Sequence, residues 1–218
     1  MTLARRSTAS IWVGLILCAA SNAAPAMAAE VGAPAQRTTS TSGIPYLSDS
    51  EAGPPDLVAA IRARRAGGEL LNLDRMLLHS PSFAKGWNSL FGAVRGDQLA
   101  VSPRLRELAI MAIGALNKAD YEWRQHEPVF LSVGGTKEQL GALKDVGAAM
   151  KDTKLFNDTE RAALALTEEM TRNVAVSDAT MKRIRSLLPD RQVVELVGVI
   201  ASYNMVSRFV VATGLHME

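Results

Sequence analysis

A chain of 218 residues, 48% hydrophobic and 21% charged, has room for one well-buried domain plus a short targeting segment, and its composition excludes a disordered, collagenous or polytopic membrane protein. Two of its 24 basic residues, Arg5 and Arg6, lie in the first 28 positions, so the remainder sets 22 basic against 22 acidic side chains. Such a balance lacks the clustered excess of Lys and Arg that grips a phosphate backbone, and it argues against nucleic acid as a partner.

Residues 1–28 read as a secretory signal. Arg5 and Arg6 charge the start, Ile11 to Ala20 are apolar, and Ala26-Met27-Ala28 offers an A-x-A cleavage site. The apolar run is about half of the roughly 20 residues a spanning helix needs, so cleavage rather than anchoring is expected. Ser7-Thr8-Ala9 after the arginine pair lacks the apolar follow-on of the twin-arginine route, which favours general secretion. The expectation is a periplasmic or secreted mature chain that begins at Ala29 and has no membrane attachment. Cys18 is the one cysteine and lies inside this segment, behind Leu17, where a lipoprotein site needs a small residue. The mature chain then has no thiol, which removes disulfides, Cys-ligated metals and sulfur nucleophiles.

Residues 29–55 are rich in Gly, Pro, Ser and Thr without apolar periodicity and are predicted to be a flexible or loosely docked arm. From 56 to 218 apolar residues recur at three- and four-residue spacing with almost no alternation, which predicts a single all-α domain. Leu57 to Ala66 reads as a first helix, with Arg62, Arg64 and Arg65 on a solvated face, and Leu70 to Leu78 as a second. Ser80-Pro81 opens a third, to Val94, and Ser102-Pro103 opens an amphipathic fourth, ending near Asn117. A fifth runs from about Asp120 to Val133, closed by Gly134-Gly135. Thr136 with Gln139 forms a capping box for a helix to about Met150, and Asn157 with Glu160 forms another for a helix to about Arg172. Ser177 or Asp178 caps a helix to Leu188, and Pro189 opens a long helix from about Asp190 to Thr213, stopped by Gly214. Its apolar residues cover more than one face, as expected of a core helix that also meets another subunit.

Of the histidines, His126 has the most suggestive setting: Glu122 lies one turn earlier on the same face, and a carboxylate beside an imidazole prepares an acid–base group. A surface Glu-His pair has the same spacing. Glu107 sits near the apolar stripe of the preceding helix, where a carboxylate needs a partner. Antiparallel packing of the two helices would bring it to His126; the alternative is an ion pair with Arg104 or Arg124. His79 and His216 read as a helix-end residue and a tail residue. Asp74 with Arg75, and Asn204 with Arg208, read as structural pairs. One histidine and two glutamates make a weak metal signature, so neither metal nor cofactor is expected.

The stretch Arg104 to Gly135, together with Asn72-Leu73-Asp74-Arg75-Met76 and Tyr203-Asn204-Met205-Val206-Ser207-Arg208-Phe209, resembles the carboxymuconolactone decarboxylase superfamily over about residues 56 to 215. The resemblance implies an alkylhydroperoxidase D-like helical bundle that assembles into homotrimers or hexamers. In the alkylhydroperoxidase D branch the site is a glutamate, a Cys-x-x-Cys and a histidine. Here Glu107 and His126 match, but Ala119 and Glu122 stand where that branch has its cysteines, so the thiol peroxidase mechanism has no groups to run on. The decarboxylase branch is the better likeness. It implies acid–base chemistry, decarboxylation or isomerisation, on a small carboxylated or lactone-like substrate, with His126, Glu107 and Glu122 catalytic. In that reading Arg124 or Arg104 holds a substrate anion, and Trp123 and Tyr121 wall the pocket. A non-catalytic small-molecule-binding scaffold is the alternative.

Overall fold

The computed structural model describes residues 38–218; the signal-like segment, Cys18 and the first part of the arm lie outside the described residues. Among these residues there are ten α-helices and no strand. The first three are α1 (Pro55–Arg64), α2 (Asn72–Leu77) and α3 (Pro81–Val94). Between α1 and α2 a 310 turn at Ala66–Gly68 includes Gly67 at φ 74, a conformation that favours glycine. Asp74 fixes the start of α2. Its carboxylate accepts from the Leu71 amide (3.0 Å) and takes two bonds from Arg65 (2.6 and 2.8 Å). The expected Asp74–Arg75 pair does not form: Arg75 reaches Asp49 at 2.7 Å instead.

Helix α4 (Pro103–Leu116) is capped by Ser102, whose hydroxyl accepts from the Leu105 amide. Its residues from Leu108 to Ile113 are 0–1% exposed, because α5 (Asp120–Ser132), α8 (Asp158–Arg172) and α10 (Asp190–Thr213) all pack on it. This is the central helix, and its burial on every side is where most of the hydrophobic stabilisation resides. The Gly134-Gly135 stop after α5 behaves as read from the sequence. Gly134 adopts φ 91, and a Cβ at Gly135 would collide with the Phe130 ring. The helix expected from Thr136 to Met150 is two short ones, α6 (Lys137–Ala142) and α7 (Val146–Ala149). Asp145 makes the break, since its side chain accepts from the Ala148 amide and starts a new helix. The Asn157–Glu160 box and the Ser177 cap start α8 and α9 (Asp178–Arg185), and Gly214 ends α10 in the left-handed conformation at φ 62.

From Thr38 onward the expected loose arm is docked. The Thr41 amide donates to Gly214 O (2.9 Å), the Tyr46 hydroxyl accepts from the His216 amide (2.8 Å), and Leu47 O accepts from Arg75 (2.8 Å). His79 donates to Pro45 O (2.8 Å), so both peripheral histidines serve to hold this segment. A polar Gly/Ser/Thr stretch has few apolar side chains to bury but many backbone groups to satisfy, and the C-terminal end of α10 supplies partners for them.

Candidate active site

The site begins with the turn between α4 and α5. The Ala119 amide donates to Gly114 O (2.9 Å) and the Lys118 amide to Ala115 O (3.3 Å), the two bonds of a Schellman motif, with Lys118 at φ 54. The tight reversal lays α5 along α4 and sets Glu107, on the second turn of α4, against His126, on the second turn of α5. Glu107 Oε2 is 2.7 Å from His126 Nδ1, with the Glu107 side chain fully buried and that of His126 9% exposed. The contact anticipated from antiparallel packing is present; the alternative pairing of Glu107 with Arg104 or Arg124 is not.

Two environments push the two carboxyls apart. Burial alone would raise the Glu107 pKa, but the His126 hydrogen bond and the charges of Arg95 and Arg106 outweigh it and hold the carboxyl below its ordinary 4.5. Glu122, 2% exposed, has no hydrogen-bond partner at either oxygen, and burial lifts its pKa well above 4.5 against the opposing charge of Arg95. Glu107 is thus held towards its ionised form and Glu122 towards its protonated form. Burial also lowers the His126 pKa from 6.5, more than the adjacent Glu107 raises it. The imidazole is therefore held towards its neutral form, donating from Nδ1 to Glu107 and accepting at Nε2 from the Arg95 guanidinium (3.1 Å). The expected division of labour is corrected here. Glu107, not Glu122, orients His126; one-turn spacing puts Glu122 on the same side of α5, but its carboxyl makes no bond to the ring.

The sequence did not mark Arg95, which follows α3. Its Nη1 donates to Tyr203 Oη (2.8 Å) and lies 3.1 Å from His126 Nε2, and its Nη2 is 3.9 Å from Glu107 Oε1. Tyr203, on α10, sets its ring edge-on to His126 (centroids 5.1 Å apart) and to Phe91 (5.6 Å). These groups open on a cavity of about 500 Å³ lined by Glu122, His126, Arg95, Arg64, Tyr121, Tyr203 and the aromatic Trp87 and Phe91 among others. That volume suits a small organic molecule. No buried side-chain nitrogen or oxygen among the described residues lacks a partner except Arg106 Nε, Glu107 Oε1 and both oxygens of Glu122, and all four belong to this cluster.

Of the four residues expected to bind substrate, the structure brings only Tyr121 to the cavity; its hydroxyl donates to Glu218 Oε1 (2.9 Å). Trp123 faces away, into a separate recess of about 160 Å³, where the Lys144 ammonium lies 3.5 Å from its ring centroid. Arg104 is tied to Glu160 (2.8 Å), Gln139 (3.0 Å) and Gly134 O, and serves to clamp α4 to the α5–α6 turn and α8. Arg124 is exposed and outside the cavity. Trp123 and Arg124 point away because successive residues on α5 turn by about 100°, whereas Arg104, on α4, is held elsewhere by its own partners. No three His, Asp or Glu side chains among the described residues are disposed to hold a metal ion.

Residues 81–169 match the Carboxymuconolactone decarboxylase family. No curated protein matches the chain. Among solved structures, an uncharacterized peroxidase-related protein from Silicibacter sp. TM1040 superposes with a TM-score of 0.69 at 16% identity, covering 86% of this chain and 96% of that one. An uncharacterized peroxidase-related protein from Ralstonia eutropha JMP134, described as an alkylhydroperoxidase AhpD core, gives 0.69 at 16% identity, over 80% and 90%. The debrominase Bmp8, solved with 2,3,4-tribromopyrrole, gives 0.64 at 18% identity, over 83% and 91%. At such identities these likenesses speak for a common fold alone. The sequence match lies over α3 to α8, the helices that build the Glu107–His126 pair, and the fold is the one these AhpD-like structures share.

Proposed function

We propose that the protein is an acid–base enzyme that decarboxylates or isomerises a small carboxylated or lactone-like molecule without a cofactor. One observation carries this reading: Glu122, whose burial favours its protonated form, and His126, hydrogen-bonded to Glu107, line the same cavity. An enzyme that moves protons at carbon needs an acid and a base whose pKa values are held apart, and these environments do that. In a decarboxylation the bond to the carboxyl carbon breaks, its electron pair passes into the conjugated skeleton as CO2 leaves, and Glu122 returns a proton to carbon. In an isomerisation His126 Nε2, once the Arg95 N–H turns from it to the substrate, takes a proton from one carbon and Glu122 delivers one to another. Arg95, charged and 3.1 Å from Nε2, stabilises the enolate-like charge that either path develops. Thiol peroxidase chemistry has no sulfur to use, since no cysteine occurs after Cys18.

The test is a screen of lactones and enol acids with wild type, His126→Ala and Glu122→Gln. Turnover of a panel member, lost in both variants, supports the proposal; wild-type rates in either variant overturn it. Two further expectations belong to the same proposal. Export through residues 1–28 is checked by the N-terminal sequence of the mature protein. A homotrimer or hexamer is supported by the apolar residues that α10 and α3 leave exposed, Val194 (70%), Val211 (51%), Phe83 (47%) and Leu90 (41%), and a monomer by light scattering would refute it.

A further inference from the structure

The cavity holds an imbalance of charge that the proposed acid–base pair does not use. Arg65 is neutralised by Asp74 through two short bonds, and Arg106 stands 3.6 Å from Glu107. Arg64, half-buried at the end of α1, forms no ion pair among the described residues. Its Nε donates to Asn88 Oδ1 (2.7 Å), which aims the guanidinium while leaving both terminal nitrogens uncommitted. Burial and the charges of Arg65 and Arg95 hold its pKa below the ordinary value against the opposing charge of Asp74, and a guanidinium in that setting keeps its proton. Arg95 has only the 3.9 Å approach to Glu107 as a counter-charge, and Glu107 is shared with Arg106 and His126. The cavity and its immediate shell thus set four guanidinium groups, at 64, 65, 95 and 106, against two ionised carboxylates, Asp74 and Glu107. A third carboxylate, Glu218, is engaged by Tyr121, Gln125 and the Asn72 amide.

A half-buried cation that forms no ion pair keeps its terminal nitrogens available to an anion. The apolar part of the wall narrows what would balance it. Trp87, Phe91 and Tyr203 form a continuous run of rings, Trp87 to Phe91 at 5.0 Å and Phe91 to Tyr203 at 5.6 Å, beside Arg95. Ring faces favour a flat, unsaturated body, and a guanidinium fork matches a carboxylate in two-point geometry.

We infer that Arg64 and Arg95 form a carboxylate-binding subsite that selects a planar, unsaturated organic acid, held on Trp87, Phe91 and Tyr203 with its reacting carbon presented to Glu122 and His126. The assignment deepens the acid–base reading and rests on it for the reaction, but its binding half stands on its own. Arg64 is a specificity residue here, distinct from the proton-transfer groups, and Arg124, once expected to hold the anion, has no part.

Benzoate is the probe, with benzamide as its neutral counterpart and inorganic sulfate as an anion without a ring. Calorimetric titration of the full mature protein is expected to give saturable benzoate binding, weakened about tenfold or more in Arg64→Gln and Arg95→Gln. Arg64→Lys, which keeps the charge but not the fork, should bind between wild type and Arg64→Gln, and Arg124→Gln should retain all of the affinity. Circular dichroism melts confirm that each variant is folded, and Arg64→Gln, remote from the Glu107–His126 bond, is the arm least exposed to a folding defect. His126→Asn should still bind benzoate, which separates the two readings: lost turnover with retained binding leaves the subsite standing whether or not the acid–base roles are right. The inference falls if folded Arg64→Gln binds benzoate as wild type does, if benzamide binds equally well, if sulfate competes as strongly as benzoate, or if wild type shows no saturable binding at millimolar probe.

Discussion

Two buried polar clusters lie against the central helix α4, and they are wired in opposite ways. At its C-terminal end, Asn117 donates to Asn204 Oδ1 (3.0 Å) and Ser207 Oγ (2.6 Å), Asn204 Nδ2 donates to Thr171 Oγ1 (3.0 Å) and Ile200 O (3.1 Å), and Arg208 donates to Asn204 Oδ1 (2.7 Å). Each of these buried groups has a partner. At the other cluster, around Glu107, Glu122 and His126, four polar atoms make no hydrogen bond, two of them, Arg106 Nε and Glu107 Oε1, meeting only as a loose 3.6 Å ion pair. A satisfied network joins helices α4, α8 and α10 and asks nothing further of its surroundings; an unsatisfied one carries a standing energetic cost, which folds tolerate where a bound molecule or a reaction needs the unpaired groups. The contrast divides polar burial that holds the fold from polar burial that serves chemistry.

The sharpest way to break that division is His126→Ala, expected to lower turnover by about two to four orders of magnitude under conditions where the variant is folded; it also removes the one hydrogen bond of the buried Glu107 carboxylate, so its melting temperature falls. A comparable loss of turnover from Asn204→Leu at temperatures where that variant is folded would erase the distinction. Asn204→Leu should act on stability instead, costing about 2–3 kcal/mol in urea unfolding, because it strands Asn117, Thr171 and Arg208.

Glu122 sharpens the comparison through pH. Its folded-state pKa is raised, so the unfolded chain releases this proton first, and the group's contribution falls as pH rises from 4.5 towards the folded value. Glu107 has the opposite sign: its depressed folded-state pKa gives stability that is present above 4.5 and lost as pH falls through the folded value. Glu122→Gln is therefore expected to flatten the decline in stability above pH 4.5 and to leave the acid limb in place; an unchanged slope would show that Glu122 ionises normally. The rate should follow the same groups, rising as His126 loses its proton below its usual 6.5 and falling when Glu122 ionises.

The smallest effect calibrates the others at a place with backbone strain and no buried polar group. Val174 follows α8 at φ 64, 82% exposed, in a tight turn closed by the Ala175 amide on Asn173 O (2.7 Å). A β-branched residue is poorly suited to that conformation, so Val174→Gly should stabilise by about 0.5–1 kcal/mol, the relief of strain less the entropy that glycine adds to the unfolded chain.

The helices were legible because their punctuation is local: Ser102-Pro103, the Thr136 and Asn157 boxes, Ser177 and Gly214 act within a few residues. Glu107 and His126 were legible as candidates because a carboxylate on an apolar stripe demands a partner and the next helix offers an imidazole. What the sequence hid depends on packing at a distance. Arg64 and Arg65 read as a solvated face, since an arginine at a helix end is ordinarily there for water and the helix dipole. Arg95, just past α3, gives the same signal. Asp74 chose Arg65 over its neighbour Arg75, and Glu122 shares a side of α5 with His126 without touching it; spacing along a helix fixes direction, whereas side-chain torsions and the arrival of other helices fix contact.

Only three residues, Asn117, Lys118 and Ala119, separate α4 from α5. An inserted or deleted residue there would break the paired Ala119–Gly114 and Lys118–Ala115 bonds that set the direction of α5. The short link is thus the gauge of the site: its reversal fixes the register at which the imidazole meets its carboxylate.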